Sequence, residues 1–308
     1  MLVVIALGGN ALLHRSERPE AQAQEDNVRE AVAAIRTILH HHDVVLTHGN
    51  GPQIGLLALE SEDDPALSRP YPMDALSAAT GGMIGYWLQR ELAGTSHPSV
   101  TVITQTVVSR DDPEFSSPTK YVGQVYDEKA ARTLAAEHLW EIRPEGDNHW
   151  RRVMPSPLPT AIVELDIIRR LVQDGVVVIC CGGGGVPVTR DAAGLTTGVE
   201  AVIDKDRTAA LLATDLEADA LLLLTDARGV QENFGTAHAR TLGHLTPDEI
   251  GSLDLPAGSM GPKVAAACDF VQRTGGFAAI GRLDEAASLL AKTSGTIIEA
   301  APARAAAR

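Results

Sequence analysis

Four strand-length apolar runs in this chain end in small or polar clusters, and no other feature limits its fold so strongly. LVVIAL runs into Gly8-Gly9-Asn10, DVVLTH into Gly49-Asn50-Gly51, VVVICC into the four glycines at 182–185, and LLLLT into Asp226. Between the first two lies NVREAVAAIRTILHH, which has helical spacing, so the chain opens as a βαβ unit. SVTVITQTVV, GVVVICC, ALLLLTD and FAAIG are nearly unbroken β-type segments, the pattern of parallel strands covered on both faces. An α/β fold follows, with ligands expected beyond the carboxyl ends of the strands.

A chain of 308 residues, 44% of them hydrophobic, can bury one large α/β core with an elaboration. The stretch from about Ser109 to Pro159 breaks the rhythm. It is rich in Asp, Pro and Ser and carries two of the three tryptophans. An inserted lid subdomain and a functionless surface excursion fit that composition equally well. No run of 18 apolar residues occurs and MLVVIALGG lacks a basic leader, so a cytoplasmic protein without a membrane partner is expected. A net charge of −14 argues against nucleic acid, which needs clustered lysine and arginine. Cys180 and Cys181 sit inside an apolar run and suit a buried strand better than a disulfide or zinc site.

Glycine lets backbone N–H groups surround an anion, especially at a helix N-terminus. One such cluster is better read as a turn; several at equivalent strand ends suggest a phosphate or other small anion. The GxxxxGK[ST] loop is absent, His48 to Gly55 spaces its glycines one residue too long for a dinucleotide fingerprint, and protein-kinase HRD and DFG motifs are missing. Two lysines stand in notable company, in Asp204-Lys205-Asp206 and in Gly258-Ser259-Met260-Gly261-Pro262-Lys263. Alone, either is best read as a solvated surface charge. Beside glycine loops they suit phosphoryl transfer, where lysines neutralise nonbridging oxygens and a carboxylate fixes a lysine or magnesium.

The segments GGNAL at 8–12, THGNGPQIG at 47–55, GGGGVPV at 182–188, GVEAVIDKD at 198–206, LTDARGV at 224–230, NFGT at 233–236 and GSMGPKV at 258–264 resemble the successive signatures of carbamate kinases, within the amino-acid-kinase family. TGGMIGYWLQREL, DDPEFSSPTK and WRRVMPSP extend the resemblance almost end to end. It implies an open three-layer αβα sandwich with a mainly parallel central sheet and a small protruding subdomain, at about 109–159, in a single domain spanning 1–308. The N-terminal half would hold carbamate and about 160–308 the nucleotide, in a homodimer.

Carried over by motif, Gly8, Gly9, Asn10, Gly49, Asn50 and Gly51 would bind carbamate and the moving phosphoryl group. Gly182, Gly183, Lys205, Thr225, Asp226, Met260 and Lys263 would serve ATP or ADP. Lys205, Lys263, Asp206 and a subdomain residue, Lys120, would be catalytic, with Mg²⁺ carried by the nucleotide phosphates and no protein metal site. The reaction implied is carbamoyl phosphate plus ADP giving carbamate and ATP, in arginine and nitrogen catabolism. Asp206 also has an ordinary reading, as a carboxylate favoured at a helix N-terminus.

The chain has Ala6 where many members of the wider superfamily carry a lysine, which favours the carbamate kinase branch over acetylglutamate kinase. It also has Lys120-Tyr121-Val122-Gly123 where the branch commonly reads KPIG, and Leu158 in place of a lysine. Another small-acid kinase and a non-catalytic nucleotide or carbamoyl-phosphate sensor are the alternatives; retention of both lysines argues against the sensor.

Overall fold

Leu2–Leu7 forms strand β1, with Val3 to Leu7 wholly buried, and it is the middle of the molecule. A computed structural model describes residues 1–14, 17–146, 148–236, 238–251, 253 and 260–301; the Asn10 side chain, Gly258 and Ser259 lie outside that set. The remaining strands of the central sheet are β2 (Asp43–His48), β3 (Ser99–Thr101), β4 (Val177–Ile179), β5 (Ala220–Thr225), β6 (His244–Leu245), β7 (Phe277–Arg282) and β8 (Thr296–Glu299). Among the described residues their spatial order is β6-β8-β7-β5-β1-β2-β4-β3. Only β7 and β8 pair antiparallel; the other neighbours in this sheet are parallel.

Five helices matter to the site: α1 (Ala21–Leu39), α2 (Gly51–Asp63), α3 (Met73–Leu92), α4 (Lys205–Asp215) and α5 (Met260–Thr274). Successive side chains of a strand point to opposite faces. Val4 and Ala6 accordingly join the core made with Leu212 of α4 and Ala267 and Phe270 of α5. Val3, Ile5 and Leu7 join Val28 and Ile35 of α1 and Ile84 and Leu88 of α3. Helices therefore cover both faces of the sheet, giving the three-layer αβα sandwich. Each fully buried Leu or Ile contributes roughly 1.5–3 kcal/mol by leaving water.

Register brings the loops together. Leu7 pairs with His48 on one side and with Leu224 on the other, so β2, β1 and β5 end level. The segments at Gly8, Gly49 and Thr225 emerge side by side as a result.

The structure corrects two strand expectations. SVTVITQTVV is not one strand: its second half, Gln105–Val108, belongs to a separate four-stranded sheet with Thr196–Gly198, Val186–Arg190 and Pro159–Ile162. Thr104 makes the break, its hydroxyl donating to the Val102 carbonyl at 2.8 Å and accepting from the Cys181 N–H at 3.0 Å. Cys180 and Cys181 are buried as expected but lie just past the end of β4, and Cys181 turns the chain with φ of 53°.

Within the polar stretch, Lys120–Tyr126, Trp150–Met154 and Ile142–Pro144 form an antiparallel sheet of their own, accompanied by the helix Glu128–His138. The stretch 109–159 leaves and rejoins the core side where Gln105–Val108 ends and Pro159–Ile162 begins, two strands that pair with each other. The antiparallel unit rests on α2. A Cβ on Gly55 would come within 2.4 Å of the Gly123 Cα, so only glycine permits that approach. Beside it, Glu62 of α2 accepts from Trp140 Nε1 at 3.0 Å and from Arg152 at 2.8 Å.

Candidate active site

The level strand ends leave their first loop residues in backbone contact. The Gly8 N–H donates to the Leu224 carbonyl, and the Gly49 N–H to that of Leu7, each at 3.0 Å. A Cβ on Gly8 would lie 2.8 Å from the Leu224 oxygen, and one on Gly49 would lie 3.0 Å from the Gly9 nitrogen and 3.3 Å from Lys205 Cδ. Glycine here lets two loops and a lysine stem share one small space. Helix α2 starts at Gly51 with Pro52 in its first turn, where a missing N–H costs nothing.

Asn50, 3% exposed, precedes that helix. Its amide Nδ2 donates to the Thr80 hydroxyl at 2.9 Å, and that hydroxyl donates on to the Leu76 carbonyl at 2.8 Å. Gly183 presses against the same amide: a Cβ there would stand 2.2 Å from Asn50 Nδ2, and the residue has φ of 66°. His48 is fully buried, with Nδ1 at 3.0 Å from the Gly49 carbonyl. Burial lowers its pKa from 6.5 to about 4, so the ring is neutral at physiological pH.

Helix α4 supplies the charges. Asp204 is its N-cap: Oδ1 accepts from the backbone N–H groups of Asp206 at 3.0 Å and Arg207 at 3.2 Å. Capping is thus done by Asp204, while Asp206 lies in the first turn, where the helix dipole also favours its charge. Asp206 Oδ1 accepts from Lys205 Nζ at 2.5 Å, and Oδ2 accepts from Lys263 Nζ at 2.9 Å. Burial works to raise the Asp206 carboxyl, but the two ammonium charges outweigh it and hold the group well below the usual carboxylate range. Burial pushes the Lys263 ammonium down, against the pull of Asp206.

Lys120 reaches from the subdomain to Asp204 Oδ2, at 2.5 Å. Thr208 of α4 donates to the Gly184 carbonyl at 3.1 Å, tying the charged helix to the glycine-rich turn at Gly182–Gly184. Thr225 donates to Asp226 at 3.0 Å on the exposed side, immediately after the Leu224 carbonyl that holds Gly8. Met260 opens α5, three residues ahead of Lys263.

The structure therefore brings Gly9, Gly49 and Lys205 into contact, joins Lys205 and Lys263 through Asp206, sets Gly183 against Asn50 and places Lys120 on Asp204. Sequence reasoning gave no role to Asp204, Thr80 or His48. Asp204 carried a signal, an acidic residue just ahead of a helix; Thr80, buried mid-helix, carried none. Among the described residues no group of three or more His, Cys, Asp or Glu could hold a metal ion, and no helix is long and apolar enough to cross a membrane. Chemically the arrangement offers backbone donors for a small anion and paired ammonium groups for phosphate oxygens.

A carbamate kinase of Rhizobium meliloti (strain 1021) is 48% identical over 303 residues, covering 97% of this chain and 93% of that protein. A carbamate kinase of Escherichia coli (strain K12) is 45% identical over 298 residues, covering 96% and 98%. The solved structure of carbamate kinase from Giardia lamblia bound to AMP-PNP superposes with a TM-score of 0.88 at 38% identity, covering 97% and 98%. The model of the amino acid kinase family matches residues 1–281, and the chain belongs to that family.

Proposed function

We propose that the chain is a carbamate kinase, transferring the phosphoryl group of carbamoyl phosphate to ADP to give carbamate and ATP, reversibly. The observation that carries this is Asp206 holding Lys205 and Lys263 together while the Lys205 stem lies against Gly49. The cations for phosphate and the loops for a tiny acceptor meet at one place. Carbamate has few atoms for side chains to grip, which suits backbone donors at Gly9 and Gly51, while Gly8 and Gly49, whose N–H groups are held by Leu224 and Leu7, supply the close approach of the loops.

Transfer is in line between an ADP phosphate oxygen and a carbamate oxygen, without a covalent enzyme intermediate. Lys205 and Lys263 neutralise charge gathering on the moving group, and Asp206 fixes both amines in advance. Mg²⁺ enters as part of the nucleotide substrate, on its phosphates. The nucleotide lies over Gly182, Gly183, Thr225, Asp226 and Met260; the solved relative bound to AMP-PNP supports nucleotide use. The subdomain closes over the acceptor side, bringing Lys120. A cytoplasmic homodimer acting in arginine and nitrogen catabolism completes the reading.

The test is a coupled assay of ATP formation from carbamoyl phosphate and ADP, run beside kinase assays with acetylglutamate and with UMP as acceptors. Turnover with carbamoyl phosphate alone is expected. Preference for either other acceptor would overturn the reading.

A further inference from the structure

Lys120 and Asp204 are 84 residues apart in sequence and belong to different structural units, the subdomain and the first turn of α4. Among the described residues Asp204 is the one acceptor for Lys120 Nζ. The two ends of the pair differ in setting. The Asp204 side chain is 9% exposed and the Lys120 side chain 36%. Asp204 cannot swing, because its other oxygen is held by the N–H groups of Asp206 and Arg207. Its second oxygen, Oδ2, is thereby held in place as the acceptor for Lys120.

Given the carbamate kinase reading, on which this inference rests, we infer that Asp204 is the positioning residue for Lys120. It seats the subdomain lysine at the mouth of the cleft, so that one carboxylate sets both the helix that carries Lys205 and Asp206 and the lid amine that completes the site. A lysine side chain is long and loses much rotamer freedom when fixed. Pairing with a carboxylate already fixed by its helix moves that loss ahead of the chemical step. Phosphate oxygens entering the cleft then compete for an amine that is still partly open to solvent. A cap without this function would need no charge and no partner from another unit, since Ser and Asn cap as well as Asp.

A double-mutant cycle tests this in the full chain, with ATP formation by the wild type as the separate test of the underlying reading. Asp204→Asn keeps a capping oxygen and loses the charge; Lys120→Met removes the amine. Asp204→Asn should lower kcat about tenfold while the KM for ADP stays within about twofold, the pattern of a contact felt in the transition state. Lys120→Met should lower kcat by at least as much. In the Lys120→Met background, Asp204→Asn should cost less than a further twofold. Asp204→Ser, a second neutral cap, should behave as Asp204→Asn does, with thermal midpoints measured for all variants. Multiplying defects in the double variant would show that Asp204 acts through α4 and not through Lys120, and would overturn the inference. So would wild-type kcat in Asp204→Asn, or failure of both neutral-cap variants to fold. No ATP formation by the wild type would instead overturn the carbamate kinase reading, and this role with it.

Discussion

At the scale of single residues, Asp206 decides whether a buried ammonium group, Lys263, and a partly buried one, Lys205, can stand side by side. Unpaired, charges in such a place would shed their protons or unfold the site, and removing one partner of a buried pair costs roughly 3–5 kcal/mol. Lys205→Ala and Lys263→Ala differ from that case, since each leaves Asp206 one lysine. Both variants should fold, and each should lower kcat by roughly 10²–10³, the scale of one preorganised transition-state contact, in the ATP-formation assay. Near-native turnover in both would remove them from the mechanism. His48 allows a stability prediction. Its pKa falls from 6.5 to about 4 on folding, because burial disfavours the charged ring. The unfolded chain thus binds the extra proton first, and the contribution present above pH 6.5 is lost as pH falls towards 4. The full loss is about 3 kcal/mol. Urea midpoints should fall between pH 7 and pH 5 more steeply in the wild type than in His48→Asn; equal slopes would assign the acid sensitivity elsewhere.

Among elements, the subdomain is the one whose role is most open to measurement. Trp140 sits at its seam with α2, donating to Glu62, stacked on His138 with ring centroids 5.2 Å apart, and with the Arg152 guanidinium 4.9 Å from its ring centroid. Trp150 lies inside the unit under Arg132. Closure over ADP and a carbamoyl-phosphate analogue should therefore change the fluorescence of Trp140 and spare Trp150. Trp150→Phe should keep the ligand-induced signal and Trp140→Phe should lose it; a signal following Trp150 would mean that the unit deforms internally. The sequence made the polar stretch visible, and its expected limits fall where Gln105–Val108 ends and Pro159–Ile162 begins. Composition marks where chain leaves the apolar layers, whereas the pairing of Pro159–Ile162 with Gln105–Val108 that closes the excursion is not encoded in composition. SVTVITQTVV misled for a related reason: β propensity does not encode that Ser99–Thr101 and Gln105–Val108 pair into different sheets.

For the molecule as a whole, the parallel sheet and its functional edge were legible because buried strands and glycine turns leave strong local marks. Contacts such as Asn50 with Thr80 and Lys120 with Asp204 were not, since they join residues whose nearness exists only after folding. Assembly is a further property at this scale. Tyr86 of α3 is 58% exposed and Ile103, beside the open edge at β3, is 45% exposed, which gives the proposed homodimer an apolar surface. Light scattering should return twice the chain mass for the wild type, and Tyr86→Asp should shift it towards one chain; a wild-type monomer would sink the proposal. The charged cluster has a last consequence, for how the cleft empties. Lys120, Lys205 and Lys263 face Asp204 and Asp206, so the site resembles an ion exchanger whose counterions are bonded to its own walls. An arriving phosphate shares these ammonium groups with carboxylates that cannot diffuse away, and a departing one leaves them to partners already present at the high effective concentration of an attached group. Affinity is surrendered on entry, and the same tethered carboxylates hasten release of product.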